Sequence, residues 1–310
     1  RQTPDIKVIN SKGKFIRTIS RPGEGPGELS ALNYPNSILY LPQQNLLGVI
    51  EMAPGRIALI SPENVPQRGA RFWTIKDNGQ KDIVVANNGE FGRQNLVLST
   101  QKLLVLFKLT TFEVGRYSLN GEPLAILDSN PSDHMFFEER AQQYFFYKPF
   151  AIDQNDVIYL AKDWMNYRIE AYDTDNQLVR VITRDFVPKK RTPADKEWIQ
   201  NFVIPETKSF LEDYERTVLE LTVYNSQLWV RPAQEPEKGV ITTFDVFGLD
   251  GRLIQQVSLH GEADLKKDRL VFLPGNPERA LVIRNLLINT NMPTAAQEDQ
   301  EIVCYHIVRQ

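Results

Sequence analysis

The 310-residue sequence is poor in the side chains from which catalytic and metal sites are usually built. Its single cysteine, Cys304, excludes an internal disulfide and any metal site made of several cysteines. The three histidines, His134, His260 and His306, are not spaced as a set of metal ligands. No nucleophile with a neighbouring base stands out either. We therefore assign no catalytic residue and no metal ligand, and we expect no cofactor.

The sequence also lacks an excess of charge of either sign and a long apolar run. Its 36 basic and 39 acidic residues give a formal net charge of -3, which argues against a general nucleic-acid binder. No run approaches the roughly eighteen apolar residues needed to cross a bilayer. We expect no nucleic-acid partner and no membrane span in this chain. With 42% hydrophobic residues, the chain has ample material for a full core.

A repeated unit organises the chain: an alternating strand, a polar turn and a second apolar strand. In two copies the turn is Asn120-Gly121 or Asp250-Gly251. Such dipeptides between alternating apolar runs are the strongest local signal for a β-hairpin. The copies occupy residues 6–16, 114–127, 169–182 and 244–257, with a degenerate copy over 57–75.

A second type of hairpin lies between these units. Together the two hairpins make a four-stranded antiparallel sheet that recurs about every 50–60 residues, a period typical of β-propeller blades. We therefore predict an all-β fold, a single β-propeller domain over residues 1–310 built of four-stranded antiparallel blades. The second hairpins occupy residues 38–50, 96–107, 150–161, 219–230 and 270–283, and a further strand follows over 302–308.

The number of blades depends on how the propeller closes. The first turn unit has no preceding hairpin, and the last unit stops after one strand. If the missing strands lie upstream of Arg1, the propeller has six blades. If nothing precedes Arg1, the N-terminal strands close the last blade and five blades result. We favour six, because a start at Arg1 resembles a chain cut inside a blade.

One segment, residues 186–217, breaks the cycle and predicts a short helical insertion. Thr192 suits a helix cap, Pro193 the first helical position and Asp195 the first turn. We expect one helix over 194–203 and a second within 205–217. Long surface insertions are often functional. The alternative is a lid that merely covers an exposed edge.

Several motifs resemble bacterial six-bladed propellers of the NHL-like group. The first is Ile6 to Ile19 followed by Gly23-Glu24-Gly25-Pro26-Gly27-Glu28, which in that group leads from the outer strand of one blade to the inner strand of the next. The segments 150–161 and 167–173 are similar to the group's inner hairpin and third strand. The resemblance implies a propeller fold and export to the periplasm or cell surface, without implying a reaction.

Charged residues recur where one face of the propeller would lie. The loops after each second strand share a face with the connections between blades, and we expect a binding rim there. Arginine offers a planar fork for carboxylates, and tryptophan offers a flat apolar surface. A solvated rim with ordinary salt bridges between blades is the alternative. The predicted ligand-binding residues are Glu51, Arg56, Asp163, Trp164, Arg168, Arg231 and Arg284.

We predict from these patterns a non-enzymatic, exported propeller that binds a protein or peptide partner through this face, through the insertion, or through both. One alternative is a propeller enzyme that depends on a divalent metal, such as a lyase or a lactonase-like hydrolase. For that alternative, a weak all-oxygen calcium site from Glu51, Asp163 and backbone carbonyls is left open. A sensor domain detached from a longer chain is a third hypothesis.

Overall fold

In a computed structural model, the chain divides into two units. The first contains residues 1–88 and 92–134, and the second contains residues 89–91 and 135–310. The single domain predicted over residues 1–310 stays a prediction. The structure describes residues 6–10, 12–23, 28–29, 35–41, 46–51, 56–61, 63, 73–74, 76–77, 80–81, 96–98, 103–108, 113–118, 123–129, 148–202, 213–273, 278–285 and 301–307.

The first unit contains fourteen strands within its described residues. They pair antiparallel throughout except β3 with β4, which is parallel. The strands are β1 (Lys7–Ile9), β2 (Phe15–Thr18), β3 (Arg21–Pro22), β4 (Glu28–Leu29), β5 (Pro35–Leu41), β6 (Leu46–Glu51), β7 (Arg56–Ile60), β8 (Trp73–Thr74), β9 (Lys76–Asp77), β10 (Gln80–Lys81), β11 (Leu96–Leu98), β12 (Leu103–Lys108), β13 (Glu113–Ser118) and β14 (Pro123–Asp128).

The second unit contains eleven strands and one helix within its described residues, and all its strand pairs are antiparallel. These elements are β15 (Phe150–Ile152), β16 (Ile158–Leu160), β17 (Arg168–Tyr172), β18 (Leu178–Thr183), α1 (Pro193–Phe202), β19 (Val218–Tyr224), β20 (Gln227–Pro232), β21 (Val240–Gly248), β22 (Leu253–His260), β23 (Arg269–Leu273), β24 (Arg279–Ile283) and β25 (Ile302–His306).

The sheets confirm the predicted fold class, an all-β propeller of four-stranded antiparallel blades. In the described part of the chain, β5–β8, β11–β14, β15–β18 and β19–β22 each form a four-stranded sheet in chain order. Strands β23–β25 form a three-stranded sheet and β1–β2 a two-stranded one. Both predicted hairpin types are confirmed, since each falls on a strand pair. The number of blades stays a prediction.

Several hairpins close with a five-residue turn of the same geometry, held by hydrogen bonds within the turn itself. Asp173 Oδ1 accepts the backbone N–H groups of Asp175 and Gln177, both at 2.9 Å. The fourth residue, Asn176, has a φ of 64°. This αL residue adds a bulge to the hairpin, which accounts for the register shift beside Tyr172. Asn10–Lys14, Asp153–Val157 and Gly248–Arg252 repeat the pattern of backbone hydrogen bonds.

The core of the second unit lies between neighbouring blades. Ile169 and Ala171 alternate along β17 and are fully buried against the blade β19–β22, with Val218, Leu228 and Val230 in the same cluster. Because side chains alternate along a strand, the other face of β17 carries the polar side chains of the candidate site.

The predicted N-terminal helix of the insertion is confirmed as α1. Thr192 and Asp195 cap each other: Asp195 N donates to Thr192 Oγ1 at 3.1 Å, and Thr192 N donates to Asp195 Oδ2 at 2.9 Å. The second predicted helix lies outside the described residues over 205–212, and residues 213–217 are not helical. Lys190 and Tyr214 are antiparallel backbone partners, and Arg191 N donates to the Asp213 carbonyl at 2.8 Å, so the two ends of the insertion meet as a stem.

The Gly-Pro-Gly-Glu connector follows outer strand β2 and leads towards β5. Its ends form the short parallel pair β3–β4, and Gly23 N donates to Leu29 O at 2.8 Å. Leu29 is fully buried with Ile6, Ile19 and Ile60 in the core of the first unit. Residues 24–27 lie outside the described residues. The connector therefore contributes Leu29 to the hydrophobic core of the first unit.

Candidate functional site

A pocket of about 260 Å³ lies in the second unit, at the loop between β16 and β17. Among the described residues, four charged side chains line it: Lys162, Asp163, Arg168 and Glu170. Asp163 and Arg168 belong to the binding residues predicted from sequence, and Trp164 lies in the same loop. The structure therefore brings three predicted residues together here.

Strand alternation places the pocket residues on one side of the hairpin. Arg168 and Glu170 project from the same face of β17, opposite the buried Ile169. The antiparallel register pairs Leu160 with Glu170. Lys162, two residues beyond Leu160, therefore lies towards the Arg168 end of the hairpin.

Glu170 is the centre of the pocket's hydrogen-bond network. Its Oε1 accepts hydrogen bonds from Arg168 Nε at 3.1 Å and from Arg168 Nη2 at 2.9 Å. Its Oε2 accepts one from the Tyr172 hydroxyl at 2.5 Å and forms an ion pair with Lys162 Nζ at 2.9 Å. Lys162 also donates to the Tyr172 hydroxyl at 2.5 Å, and its ammonium lies 4.8 Å from the centroid of that ring.

These contacts shift the titration of the whole cluster. Burial by itself raises the pKa of Glu170, but hydrogen bonds from Tyr172, Lys162 and Arg168 lower that pKa to about 2. Burial lowers the pKa of Lys162, yet its hydrogen bonds to Tyr172 and Glu170 leave it raised. Burial and the hydrogen bond to Glu170 raise the pKa of Tyr172. Glu170 is thus a carboxylate, and Lys162 an ammonium, at neutral pH.

Asp163 forms a tight turn at the edge of the pocket. Its Oδ1 accepts the backbone N–H groups of Met165 and Asn166, each at 2.9 Å, and its Oδ2 accepts Asn166 Nδ2 at 2.7 Å. Burial raises the pKa of Asp163, but the hydrogen bonds from Asn166 and Met165 and the nearby Arg168 charge outweigh it, so the pKa is lowered. The loop over residues 163–166 is therefore held by its own carboxylate.

Trp164 joins the pocket loop to the insertion. Its Nε1 donates to the Tyr214 carbonyl at 3.0 Å, and the Arg216 guanidinium lies 4.5 Å from its ring centroid. Thr217 N donates to the Trp164 carbonyl at 2.8 Å, and Thr217 Oγ1 donates to the Met165 carbonyl at 2.7 Å. The returning end of the insertion is thus fixed directly beside the pocket.

The other predicted residues form pairs inside their own blades. Arg231 Nε lies 3.1 Å from Glu220 Oε2, on the neighbouring strand. Arg284 Nη1 lies 3.1 Å from Glu301 Oε2. In the first unit Glu51 and Arg56 are backbone partners at the ends of β6 and β7, and their side chains lie outside the described part.

Sequence reasoning missed Lys162, Glu170 and Tyr172. The signal that could have found them is the spacing of Arg168, Glu170 and Tyr172 at every second position of a predicted strand, which places them on one face. Lys162 joins them because β17 pairs with β16: with Leu160 opposite Glu170, a side chain two residues beyond Leu160 lies near Arg168. The predicted residues lie at strand ends, whereas Glu170 and Tyr172 lie two and four residues further along β17 on the same face as Arg168.

Among the described residues, side chains that could bind a metal are not clustered. No group of three or more His, Cys, Asp or Glu side chains there is arranged to hold an ion. His134 and the side chain of Glu51 lie outside the described residues. No helix in the described part is long and apolar enough to cross a membrane.

Comparison with known proteins relates the chain to others through structure. No family profile matches it, and no curated protein matches it in sequence. A member of the DUF4221 family from Bacteroides vulgatus aligns with a TM-score of 0.53 at 10% identity, covering 98% of this chain and 86% of the other. A catalytically inactive virginiamycin B lyase from Staphylococcus aureus with quinupristin aligns with a TM-score of 0.42 at 10% identity, covering 97% and 77%. At such identities the likeness concerns the fold alone.

Proposed function

We propose that this propeller is a non-enzymatic binding module for a protein or peptide partner. The partner contacts the pocket at Lys162 and Arg168 together with the adjoining insertion. One observation carries the proposal: the loop over residues 163–166 lines the pocket through Asp163 and anchors the insertion through Trp164. Pocket and insertion therefore form one surface, larger than the pocket itself.

The composition of this surface suits a protein partner. Arginine and tryptophan are enriched where protein interfaces bind most strongly. Met165 and Tyr214 are 39% and 38% exposed beside the charged pocket, which gives the surface an apolar part. At the start of the insertion Val187 is 87% exposed. A charged pocket flanked by exposed apolar side chains matches the mixed character of a protein–protein interface.

The proposal includes the finer features implied by the resemblance to NHL-like propellers. We propose six blades and export to the periplasm or cell surface. The resemblance to six-bladed propellers of the NHL-like group supports both features. Fractionation of the source cells with an antibody against this chain tests the location: recovery with the cytosolic fraction would contradict export.

Site-directed photo-crosslinking tests the proposed surface in the cells that make the protein. A photoreactive phenylalanine analogue replaces Met165 or Val187, both exposed, without removing a pocket residue. The control position is Arg252, whose side chain is 89% exposed in the turn between β21 and β22. We expect one defined adduct from positions 165 and 187 and none from position 252.

Two outcomes would contradict the binding proposal. Equal adducts from positions 165 and 252 would show unselective contact. The absence of an adduct from both position 165 and position 187 would show that no partner binds this surface. A purified protein that turns over a substrate, and loses that activity on chelation, would favour the metal-dependent alternative instead.

A further inference from the structure

The two carboxylates of the pocket have little acceptor capacity left for a ligand. Glu170 already accepts two hydrogen bonds from Arg168 at Oε1, and Oε2 is shared between Tyr172 and Lys162. Asp163 accepts three N–H donors from its own loop. A carboxylate offers about four acceptor positions, so both groups are largely saturated. Glu170 holds the two cations in place, and Asp163 holds the loop over residues 163–166.

The two cations, in contrast, use only part of their donors in this network. Lys162 has three N–H donors, and its contacts within the described residues are one with Tyr172 and one with Glu170. Arg168 has five, and its contacts within the described residues use only Nε and Nη2. Their side chains are 28% and 42% exposed, against 13% for Glu170. Donors on the open side of a pocket favour a ligand that accepts hydrogen bonds.

The size and charge of the pocket limit the class of ligand that it can bind. A volume of about 260 Å³ lies below the range of roughly 300–1,000 Å³ usual for drug-sized ligands and cofactors. It suits a single side chain or a chain terminus. Among the described residues that line the pocket, two cations stand beside two anions, so a doubly charged phosphate would also lie close to Asp163 and Glu170. A singly charged, planar carboxylate instead matches the free edge of the guanidinium.

We propose that the pocket binds a carboxylate of an acidic peptide segment, with the free edge of Arg168 and the ammonium of Lys162 as its donors. This inference rests on the proposed binding function and specifies the ligand class for the same site. Glu170 and Tyr172 act as positioning residues, because they fix the two cations without contacting the ligand.

Fluorescence anisotropy with matched peptides tests the inference. Both peptides are blocked at their ends and labelled identically; one carries several glutamates and the other glutamines at the same positions. At about 0.15 M salt, where exposed charges are screened over about 8 Å, we expect the glutamate peptide to bind at least about tenfold more tightly. A third peptide with phosphoserines is expected to bind more weakly than the glutamate peptide.

Substitutions in the pocket test whether the preference for the glutamate peptide arises there. Arg168→Gln is expected to remove most of the glutamate preference, and Arg168→Lys, which keeps the charge without the planar fork, to keep part of it. Arg252→Gln removes one positive charge from an exposed turn and is expected to leave binding unchanged. Far-ultraviolet circular dichroism and melting curves confirm that each variant is folded, and the lysine variant provides a second measurement if the glutamine variant is not.

The outcomes separate this inference from the proposed function. Equal binding of the glutamate and glutamine peptides, tighter binding of the phosphoserine peptide, or equal losses in Arg168→Gln and Arg252→Gln would each overturn the carboxylate inference. An adduct from position 165 together with no glutamate preference would leave the binding module standing and reject its ligand class. A glutamate preference that depends on Arg168, without any adduct, would support the pocket chemistry and contradict the protein partner.

Discussion

The guanidinium of Arg216 lies over the indole ring of Trp164, with 4.5 Å between Arg216 Cζ and the ring centroid. The two residues come from the end of the insertion and from the pocket loop. The indole N–H also donates to the Tyr214 carbonyl at 3.0 Å. Trp164 thus contacts the insertion through both its ring face and its polar edge, which makes it the structural link between the two parts of the proposed surface.

Trp164→Ala is expected to loosen the insertion and to leave the blades intact. The loss combines a cation–π contact of about 0.5–1 kcal/mol and a hydrogen bond of about 1 kcal/mol. Limited proteolysis is expected to cleave within residues 189–217 faster than in the unchanged protein. Trp164→Phe keeps a ring and loses the N–H, so cleavage at an intermediate rate is expected. Unchanged cleavage in the alanine variant would show that the insertion is held elsewhere.

Glu170→Gln is expected to lower the free energy of unfolding at neutral pH by about 1–2 kcal/mol, because three donor side chains lose a charged acceptor. The folded-state pKa of Glu170 is about 2, below its ordinary value of 4.5. Its ionised form is therefore stabilised by folding, and the contribution is fully present above about pH 4.5. It is lost as the pH falls towards 2. Urea unfolding at several pH values should show the difference between the two proteins shrinking over that interval.

The control for this pH dependence is Glu301→Gln. Glu301 pairs with Arg284 at 3.1 Å, but its side chain is 61% exposed. Exposed pairs contribute little to stability, so the change is expected to cost under about 1 kcal/mol. A constant difference between Glu170→Gln and the unchanged protein from pH 7 to pH 2 would contradict the assignment of the shift to Glu170.

Gly251→Ala is expected to destabilise the second unit by about 2–3 kcal/mol. The φ of Gly251 is 86°, and an added Cβ would lie 2.6 Å from Arg180 Cδ and 3.2 Å from Ile182 Cγ1. Gly239 has a similar φ of 81° with no atom within 4 Å of the added Cβ. Gly239→Ala therefore isolates the backbone strain, about 1 kcal/mol. Chemical denaturation should separate the two variants, and equal losses would exclude the clash as a cause.

Tyr167→Phe is expected to cost about 1–2 kcal/mol, because it removes a donor from the buried Asp245 carboxylate. The Tyr167 hydroxyl donates to Asp245 Oδ2 at 2.8 Å, and Asp245 is fully buried. Gln256 Nε2 donates to Asp245 Oδ1 at 2.8 Å, and Arg184 forms an ion pair with Asp245 Oδ2. Thermal unfolding measures the change.

Tyr305→Phe is the control for that buried hydroxyl. The Tyr305 hydroxyl donates to the Glu262 carbonyl at 3.2 Å at an exposed position. Water replaces such a partner, so a loss under about 0.5 kcal/mol is expected. If the two phenylalanine variants melt together, the network around Asp245 does not link the blades energetically.

The candidate site was only partly predictable from sequence. Asp163, Trp164 and Arg168 were predicted because they lie at the ends of a recognisable hairpin. Arg231 and Arg284 were grouped with them because strand ends share one face of a propeller; each pairs with a glutamate in its own blade, and their binding role stays a prediction. Ion-pair partners on neighbouring strands depend on register, which a one-residue shift reverses.

The sequence by itself determined the hairpins and the start of the insertion. A turn such as Asp173–Gln177 closes with hydrogen bonds to its own carboxylate, and Thr192 caps its own helix with Asp195. These interactions join residues at most four positions apart, so residue type and spacing suffice to predict them.

Only the tertiary structure decided what surrounds the pocket. Trp164 contacts Tyr214, which is 50 positions away, and Tyr167 reaches Asp245 across 78 positions. No local pattern selects such partners, because packing between blades and against the insertion brings them together. The sequence therefore specified the parts of the site, and the packing of whole blades and of the insertion determined which of them meet.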